Sequence, residues 1–499
     1  MLKTAMIFTD HMVLQRGKEI PVWGEAAPGT QVTVELDGRK VQTRTDECGN
    51  WIAYLPPHDA GSGYCLQVRS EQETIEFHDV CVGEVWLAGG QSNMEYFLGF
   101  EKHFEEVAAG QMNPMIRYFG CPQVSYEGQM ADYDYCNDGF WRCCTVQDLP
   151  YFSAVGYYFA CDVQAALGVP VGIIGCNWGG TPACAWMDPG YLEGTDGAIW
   201  LREYEDAVRD LDLQAYKASF RANPGNDRTR PLEAPHNIRI VKNGLTRQEQ
   251  AQLVAAMGKL PEPYGPWYER RPGGLYETML KKVHPYAMKG VLWYQGESDD
   301  KHPEVYKTVF SQMIRCWRDL WQEELPFLFV QLAPFEQWLL CNGNSFPEVR
   351  KSQQWVSKTV KNTRMASAGD AGMEWDIHPK DKLPVGQRLA LLARGHVYGE
   401  EVLCDAPELA YARKTGERIE ISFDHGDGLH IAGDVLQAMV GIRASGESRV
   451  IKDAWIEDGK LILRGCEDLA VLQFAQTGYY EINLYNAAGI PALPFEVVL

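Results

Sequence analysis

The pattern of apolar and polar positions changes twice along this 499-residue chain. Residues 1 to about 80 carry short alternating segments, such as 31–36 and 74–77, separated by Pro-Gly, Asp-Gly and Gly-Asn turn signals. This alternation is typical of half-buried strands, and the turn spacing predicts an N-terminal antiparallel β-sandwich domain at 1–80. The alternation returns after about residue 400, for example at 418–423, and predicts a C-terminal β-sandwich-like domain at 401–499.

Between these regions, continuous apolar runs alternate with helical patterns. The runs have the composition of fully buried strands and lie at 85–88, 169–175, 289–294 and 325–332. Their alternation with helices predicts an α/β domain at 81–400, with a mostly parallel sheet covered on both faces. Ligands of such sheets bind beyond the carboxyl ends of the strands, where this chain carries its polar motifs. A polar helical insertion is expected at about 190–265, either as a lid or side wall or as a solvated helical hairpin.

The first of these apolar runs leads through Gly89 and Gly90 into Ser92 and a helix-like segment. This order places a hydroxyl on a sharp turn at the end of a buried strand. The amides that follow favour negative charge developing nearby, so Ser92 is a candidate nucleophile. The same order also describes many structural turns, and the interpretation therefore needs a base elsewhere in the chain.

A serine nucleophile requires a base within hydrogen-bond reach and a carboxylate that orients this base. Among the eleven histidines, His378 has the most suggestive setting, in a Gly- and Asp-rich loop before a helical pattern at 385–393. Asp376 precedes it by two residues and can hold the imidazole in one tautomer. An ordinary loop histidine is the alternative interpretation.

Composition narrows the classes of function. Nucleic acid is not an expected partner, because the net charge is −21 and the chain has no run of basic residues. A membrane is not expected either, because no apolar stretch is long enough to cross a bilayer. The first residues lack the apolar core and cleavage site of a signal peptide, which predicts a cytoplasmic location. The fourteen cysteines include no Cys-x-x-Cys pair. We therefore expect free buried thiols, no structural metal site and no cofactor.

Three blocks together resemble a known family. Gly-Gln-Ser-Asn-Met at 90–94, Trp-Tyr-Gln-Gly-Glu-Ser at 293–298 and Asp-Ile-His-Pro at 376–379 occur in the order of the sialate O-acetylesterase family. This family belongs to the SGNH (GDSL-like) hydrolases, which act on O-acetyl esters of carbohydrates. The resemblance implies an SGNH-hydrolase three-layer α/β/α fold for 81–400. It extends nearly end to end, through 12–16, 21–24, 271–280 and 486–495.

The resemblance also implies residue roles. Ser92 would attack the acetyl carbonyl, His378 would take the serine proton and return it to the departing sugar hydroxyl, and Asp376 would orient His378. The oxyanion hole would comprise the Ser92 N–H, a backbone N–H in the Gly179–Gly180 turn and the Gln295 region. No metal would take part.

Of the three catalytic residues, the acid has the most alternative candidates in the sequence. Many SGNH hydrolases carry it three residues before the histidine, where this chain has Trp375. Asp376 is our choice among the acids of the chain, with Asp370 and Glu297 as alternatives.

Four further residues complete the candidate site as substrate-binding or supporting groups: Gln91, Glu297, Trp186 and Arg271. Glu297 is expected to brace the serine turn. Trp186 either stacks on a sugar ring or packs in the core. Arg271 either meets a sialate carboxylate as a bidentate fork or belongs to a surface arginine pair.

The predicted function is hydrolysis of acetyl esters on sugars, as in sialate 9-O-acetylesterases, through an acetyl-serine intermediate. The partner is an O-acetylated sugar or oligosaccharide. One alternative is an acetylesterase for neutral plant polysaccharide fragments, such as acetylated xylan or mannan oligosaccharides. Another is a carbohydrate-binding protein without catalysis. The oligomeric state stays open, with a homodimer as one option.

Overall fold

The structure, a computed structural model, describes residues 1–223, 231–257 and 264–499. It is a mixed α/β protein. The strands in chain order are β1 Lys3–Thr4, β2 Val13–Gln15, β3 Ile20–Glu25, β4 Gln31–Leu36, β5 Arg39–Arg44, β6 Asn50–Leu55, β7 Gly61–Arg69, β8 Thr74–Gly90, β9 Ile116–Gly120, β10 Trp141–Cys143, β11 Val171–Asn177, β12 Gly290–Tyr294, β13 Phe327–Val330, β14 Gln337–Trp338, β15 Cys341–Asn342, β16 Thr363–Ala366, β17 Glu408–Thr415, β18 Arg418–Asp424, β19 His430–Ile431, β20 Met439–Arg443, β21 Ser448–Val450, β22 Ala454–Glu457, β23 Lys460–Arg464, β24 Leu469–Phe474, β25 Leu484–Tyr485 and β26 Phe495–Val498.

The α-helices in chain order are α1 Ser92–Glu95, α2 Phe104–Ala109, α3 Gln129–Asp132, α4 Ala154–Leu167, α5 Ile199–Val208, α6 Leu213–Ala222, α7 Pro235–Asn237, α8 Arg247–Met257, α9 Lys281–Val283, α10 Tyr306–Trp321, α11 Phe346–Thr359 and α12 Leu383–Leu392. By its internal contacts the chain divides into two compact units. The first unit comprises Met1–Lys242, Pro261–Ser298 and Thr308–Phe327, and the second comprises Asn243–Leu260, Asp299–Lys307 and Leu328–Leu499. The three domains that the sequence pattern predicts, at 1–80, 81–400 and 401–499, stay a prediction.

The first eighty residues form strands throughout, as the alternation predicts. β1, β3 and β6 make one antiparallel sheet, while β5, β4, β7 and the start of β8 make another. One pairing differs from the antiparallel prediction, because β2 lies parallel to β8. Five strands, β3 to β7, lie between β2 and β8 along the chain. A long connection of this kind lets the chain return in the same direction.

Strand β8 links two sheets of the first unit. It is 17 residues long, and its first half pairs with β7 while its second half pairs with β11 and β12. In the first unit the sheet continues in the order β10-β9-β11-β8-β12, in which β9, β11, β8 and β12 are parallel and β10 is antiparallel. β11 and β12 are buried along their whole length, as expected for interior parallel strands. The segments that follow β8, β11 and β12 therefore start at one edge of this sheet.

The predicted insertion at about 190–265 lies partly outside the described residues, at 224–230 and 258–263. Its described parts are helical and contain α5, α6, α7 and α8. Helix α6 is not solvated on all sides, since its Tyr216 and Phe220 pack against Tyr126.

The second unit contains the β-rich C-terminal region that the alternation predicts. β17-β18-β23-β22 and β21-β20-β24-β26 form two four-stranded antiparallel sheets. Both contribute to one hydrophobic core, with Ile421 and Leu461 from the first sheet and Met439 and Leu472 from the second. The arrangement is sandwich-like, because two sheets bury their apolar faces together.

None of the fourteen cysteines, all of which lie in the described ranges, forms a disulfide. Over the same ranges, no helix has both the length and the hydropathy that crossing a membrane requires.

Candidate active site

Ser92 begins α1, immediately after β8 and the single residue Gln91. Gly90 has φ +132°, and a Cβ at this position would lie 2.2 Å from the carbonyl oxygen of Tyr294 on β12. Only glycine fits so close to a neighbouring strand. The Gln91 N–H donates to the same Tyr294 oxygen at 3.1 Å. The turn that the sequence predicts is therefore produced by the close approach of two strand ends.

The segment after β12, residues 295–298, holds the serine turn through hydrogen bonds that involve side chains. Gln91 Oε1 accepts hydrogen bonds from the backbone N–H groups of Ser298 at 3.2 Å and Gly296 at 3.5 Å. Asn93 Nδ2 donates to Glu297 Oε1 at 2.5 Å. Glu297 thus contacts the turn as a bracing residue would. Gln91 is buried, and its side-chain oxygen contacts the protein's own backbone rather than projecting toward a ligand.

The turn after β11 lies directly against Ser92. The Trp178 N–H donates to the Gly90 carbonyl at 3.0 Å, and a Cβ on Gly179 would lie 3.1 Å from the Ser92 Cβ. The Gly179 N–H donates to Glu95 Oε2 at 2.6 Å. The Gly179 amide hydrogen thus already has a carboxylate acceptor, and an oxyanion donor in the Gly179–Gly180 turn stays a prediction. Gly180, an exposed residue with φ +78°, is the candidate donor in this turn.

Gln295 and Trp186 hold the same turn from the interior. Gln295 is fully buried, and its Nε2 donates to the Thr181 carbonyl at 3.2 Å. Trp186 is also fully buried; its indole N–H donates to Thr181 Oγ1 at 2.9 Å, and its ring meets Trp293 edge to face. A ring packed in this way has no face available to a sugar. Trp186 therefore follows the core-packing alternative and not the stacking one.

Arg271 also belongs to the first unit. It is half-buried and lines a cleft of about 1910 Å³ together with Trp23, Tyr126 and Trp267. Of the described residues, those that line this cleft do not include Ser92.

His378 and Asp376 belong to the second unit and lie in the loop between β16 and α12. Both are buried. Asp376 Oδ1 accepts the His378 backbone N–H at 2.8 Å and lies 3.5 Å from His378 Nδ1. Asp376 Oδ2 lies 2.8 Å from Lys380 Nζ. The ring of Trp338 meets the imidazole edge to face, with 5.0 Å between centroids. These contacts fix the orientation of both the carboxylate and the imidazole.

The electrostatics of this loop suit a general base. Burial lowers the pKa of His378 below its ordinary value, against the opposing hydrogen bond and charge of Asp376, and the charges of Lys382 and Lys380 lower it further. Burial pushes the pKa of Asp376 upward, but the hydrogen bond with His378 and the charge of Lys380 outweigh it, so this pKa lies below its ordinary value. At neutral pH the loop therefore holds a neutral imidazole beside an ionised carboxylate.

The rival acids have other partners. Asp370 forms a bidentate ion pair with Arg388, at 2.6 and 2.8 Å. Glu297 lies in the first unit and binds Asn93. Trp375, which precedes His378 by three residues, stacks against Arg247. Among these candidates, Asp376 is the one in contact with His378.

Glu95 and Lys380 are contacts that sequence reasoning missed. Glu95 follows Ser92 by three residues and accepts from Gly179, while Lys380 follows Asp376 by four residues and pairs with its carboxylate. The spacing of Asp376 and Lys380 is a signal that could have suggested their pairing. No local signal connects Glu95 to a glycine 84 positions later.

Comparisons with known proteins agree with this architecture. Residues 261–393, which include Gln295, Asp376 and His378, match the family model of carbohydrate esterases described as sialic acid-specific acetylesterase. The sialate O-acetylesterase of Rattus norvegicus is 28% identical over 439 residues, covering 80% of this chain and 74% of that protein. The Homo sapiens sialate O-acetylesterase is 26% identical over 437 residues, with coverages of 80% and 72%.

A solved structure extends the similarity to almost the whole chain. The crystal structure of a carbohydrate acetylesterase from Xanthomonas citri matches with a TM-score of 0.76 and 28% identity, covering 99% of both chains. Together the matches show a carboxylic-ester hydrolase that is similar to carbohydrate esterases. The resemblance to the sialate O-acetylesterase family, expected from the three sequence blocks, is confirmed.

Proposed function

We propose that this protein hydrolyses O-acetyl esters of carbohydrates, with Ser92 as the nucleophile, His378 as the base and Asp376 as the acid that orients it. The observation that carries the proposal is the interlocking of the serine turn with the block after β12, in which Gln91 binds the Ser298 amide and Asn93 binds Glu297. Two motifs about 200 residues apart thus hold one hydroxyl at the carboxyl edge of a parallel sheet, where ligands bind.

The chemistry follows from these roles. Ser92 Oγ attacks the acetyl carbonyl while its proton moves to His378. The tetrahedral oxyanion then collapses, the C–O bond to the sugar breaks, and the sugar hydroxyl leaves with the proton from His378. Water attacks the acetyl-serine with His378 again as base, and acetate and free Ser92 result. Asp376 stabilises the imidazolium in both steps, and each oxyanion donor is expected to contribute about 3 kcal/mol.

The Ser92→Ala substitution tests the nucleophile. It should abolish hydrolysis of an aryl acetate without changing the unfolding midpoint. The matched control is Ser445→Ala, which removes an exposed hydroxyl from the second unit and should leave activity unchanged. Retained activity in Ser92→Ala would overturn the assignment.

The substrate is proposed from the relatives. Sialate O-acetylesterases of mammals suggest an O-acetylated sialate, cleaved at the 9-position. A neutral acetylated glycan, such as a xylan or mannan fragment, is the second candidate, because the Glu95 carboxylate accepts from the Gly179 amide beside Ser92 and the chain carries a net charge of −21. Both negative charges would repel a sialate carboxylate.

Acetate release from 9-O-acetyl sialate and from acetylated xylo- and manno-oligosaccharides separates the two substrates. The Glu95→Gln variant sharpens the result. If the carboxylate selects against anionic sugars, this variant gains activity on the sialate relative to the neutral oligosaccharides. An unchanged ratio would remove Glu95 from the account of specificity.

Two parts of the proposal rest on the sequence and its resemblance: an SGNH-type three-layer arrangement for 81–400 and a cytoplasmic location. In that compartment the enzyme would act on imported acetylated mono- or oligosaccharides.

A further inference from the structure

We propose that His396, Cys404 and Asp405 form a binding site for a divalent transition-metal ion of the zinc type. All three lie in the second unit, and none belongs to the residues to which we assign ester hydrolysis. The site is therefore a separate feature, and its test is independent of the catalytic proposal.

The geometry of the three ligand atoms suits a tetrahedral ion. His396 Nε2 lies 2.8 Å from Asp405 Oδ2, Cys404 Sγ lies 3.6 Å from the same oxygen, and all three atoms lie within 4.8 Å of one another. Zinc bond lengths of about 2.0 to 2.3 Å at tetrahedral angles place sulfur about 3.6 Å and nitrogen about 3.4 Å from a carboxylate oxygen. The sulfur is already at this separation, and the imidazole would have to move by about 0.6 Å.

A buried amide ties the segment of Asp405 to the turn at His425. Asn486 is fully buried, and its Nδ2 donates to the backbone carbonyls of Asp405 at 3.0 Å and His425 at 3.1 Å. Its Oδ1 accepts from the Ala488 and Ile490 N–H groups, both at 3.1 Å. This network fixes the loop of Asp405 against the turn of His425 before any ion binds.

Gly395 makes room for the thiol. A Cβ at this position would lie 2.6 Å from Cys404 Sγ, closer than real Cβ contacts allow. The backbone next to His396 is thus shaped so that the Cys404 sulfur can lie beside the imidazole.

The donor set identifies the class of ion. A thiolate, an imidazole and a carboxylate are ligands for zinc and related borderline-soft ions, while magnesium and calcium prefer oxygen alone. Binding would replace the thiol proton, which leaves to solvent. Water is the candidate for the fourth position. The positive charge of Arg364 acts on Asp405 and would weaken the site.

A second grouping in the first unit provides a matched control. His11, Asp79 and Cys143 also place three ligand atoms within 4.8 Å of one another. There, however, Arg117 Nη2 lies 2.9 Å from Asp79 Oδ2, so the guanidinium already occupies the carboxylate that a metal would need. We therefore expect metal binding at the His396 grouping and not at the His11 grouping.

The test is a cobalt titration of the chelator-treated full-length protein, because Co²⁺ substitutes for Zn²⁺ and gives a thiolate charge-transfer band in the near ultraviolet. The wild type and Cys143→Ser should both show this band at one equivalent of Co²⁺ and lose it when Zn²⁺ is added. Cys404→Ser should lack the band. His396→Gln and Gly395→Ala, which keep the thiol, should weaken Co²⁺ binding at least tenfold.

Thermal unfolding supplies the second readout. Zn²⁺ should raise the unfolding midpoint of the wild type and of Cys143→Ser but not of His396→Gln, because an ion that binds the native state stabilises it. His396 is exposed, so this variant is expected to fold even if Cys404→Ser does not. No thiolate band in the wild type, or a band and Zn²⁺ stabilisation that persist in His396→Gln, would overturn the site.

Discussion

The serine turn and the histidine loop carry the two halves of the proposed chemistry, and they are built differently. Ser92 stands where regular strands end, and its position is fixed by the approach of Gly90 to Tyr294 and by hydrogen bonds of the neighbouring Gln91 and Asn93 side chains. His378 stands in an irregular loop, where the carboxylate of Asp376 and the ammonium of Lys380 fix its environment.

This difference indicates which changes each region tolerates. A turn between strand ends is sensitive to added volume, because its residues pack closely and leave little room for a further methyl group. A loop held by buried charges is sensitive to the loss of a charge or hydrogen-bond partner. The following substitutions test that contrast, beginning with the largest expected effect.

The largest effect should come from removing Ser92, His378 or both. If the two regions act in one chemical step, Ser92→Ala, His378→Ala and the double variant should each lose activity by a similar factor, on the order of 10⁶ in kcat, because residues that act as a unit are not additive. Aryl acetate hydrolysis measures all three variants. A double variant much slower than either single one would show that the regions contribute separately.

The loop should then respond to loss of its acid. Asp376→Asn preserves size but removes the charge that orients His378 and stabilises its protonated form, and a loss on the order of 10⁴ in kcat is expected. Asp370→Asn is the control, since Asp370 pairs with Arg388 and should affect thermal stability more than kcat. The reverse order of effects would make Asp370 the acid.

The turn should respond to added volume. Gly179→Ala places a methyl group 3.1 Å from the Ser92 Cβ and would displace the nucleophile. A misplacement of about 1 Å costs on the order of 10²-fold in kcat, so the smaller shift that this contact requires should cost about tenfold. The unfolding midpoint should change little, because Gly179 is only partly buried. Full activity in this variant would show that the turn can yield, contrary to the rigidity assigned to it.

The smallest effect is a shift in pH dependence. The base must be neutral to act, so kcat/KM should rise with pH through the pKa of His378, which lies below the ordinary histidine value. Because the charge of Lys380 contributes to this lowering, Lys380→Met should move the acid limb to higher pH. Lys452→Met, which changes an exposed lysine, should leave it in place. An acid limb that does not move would exclude Lys380 as an electrostatic partner of the base.

Much of the turn could be predicted from the sequence. A buried parallel strand must be a continuous apolar run, so residues 85–88 and 289–294 indicate β8 and β12 directly. Gly90 is explained by its close approach to the neighbouring strand, which leaves no room for a side chain. The parallel pairing of β2 with β8 has no such signal, because it joins residues almost 70 positions apart.

The details of the site depended on long-range contacts. The choice of Asp376 over Asp370 rests on Arg388, which is 18 residues from Asp370, and the use of the Gly179 amide rests on Glu95. Whether Trp186 stacks on a ligand or packs in the core is likewise decided by its burial and by Thr181. Residue types suggested these groups, but only the folded arrangement determines their partners.

The central claim is that Ser92 becomes acetylated during turnover. The most direct measurement is mass spectrometry of peptides from an aryl acetate reaction quenched with acid before the steady state. The account predicts one acetyl group per chain on the peptide that contains Ser92, absent from the Ser92→Ala variant. Turnover without acetylation, or with the acetyl group on another residue, would contradict it.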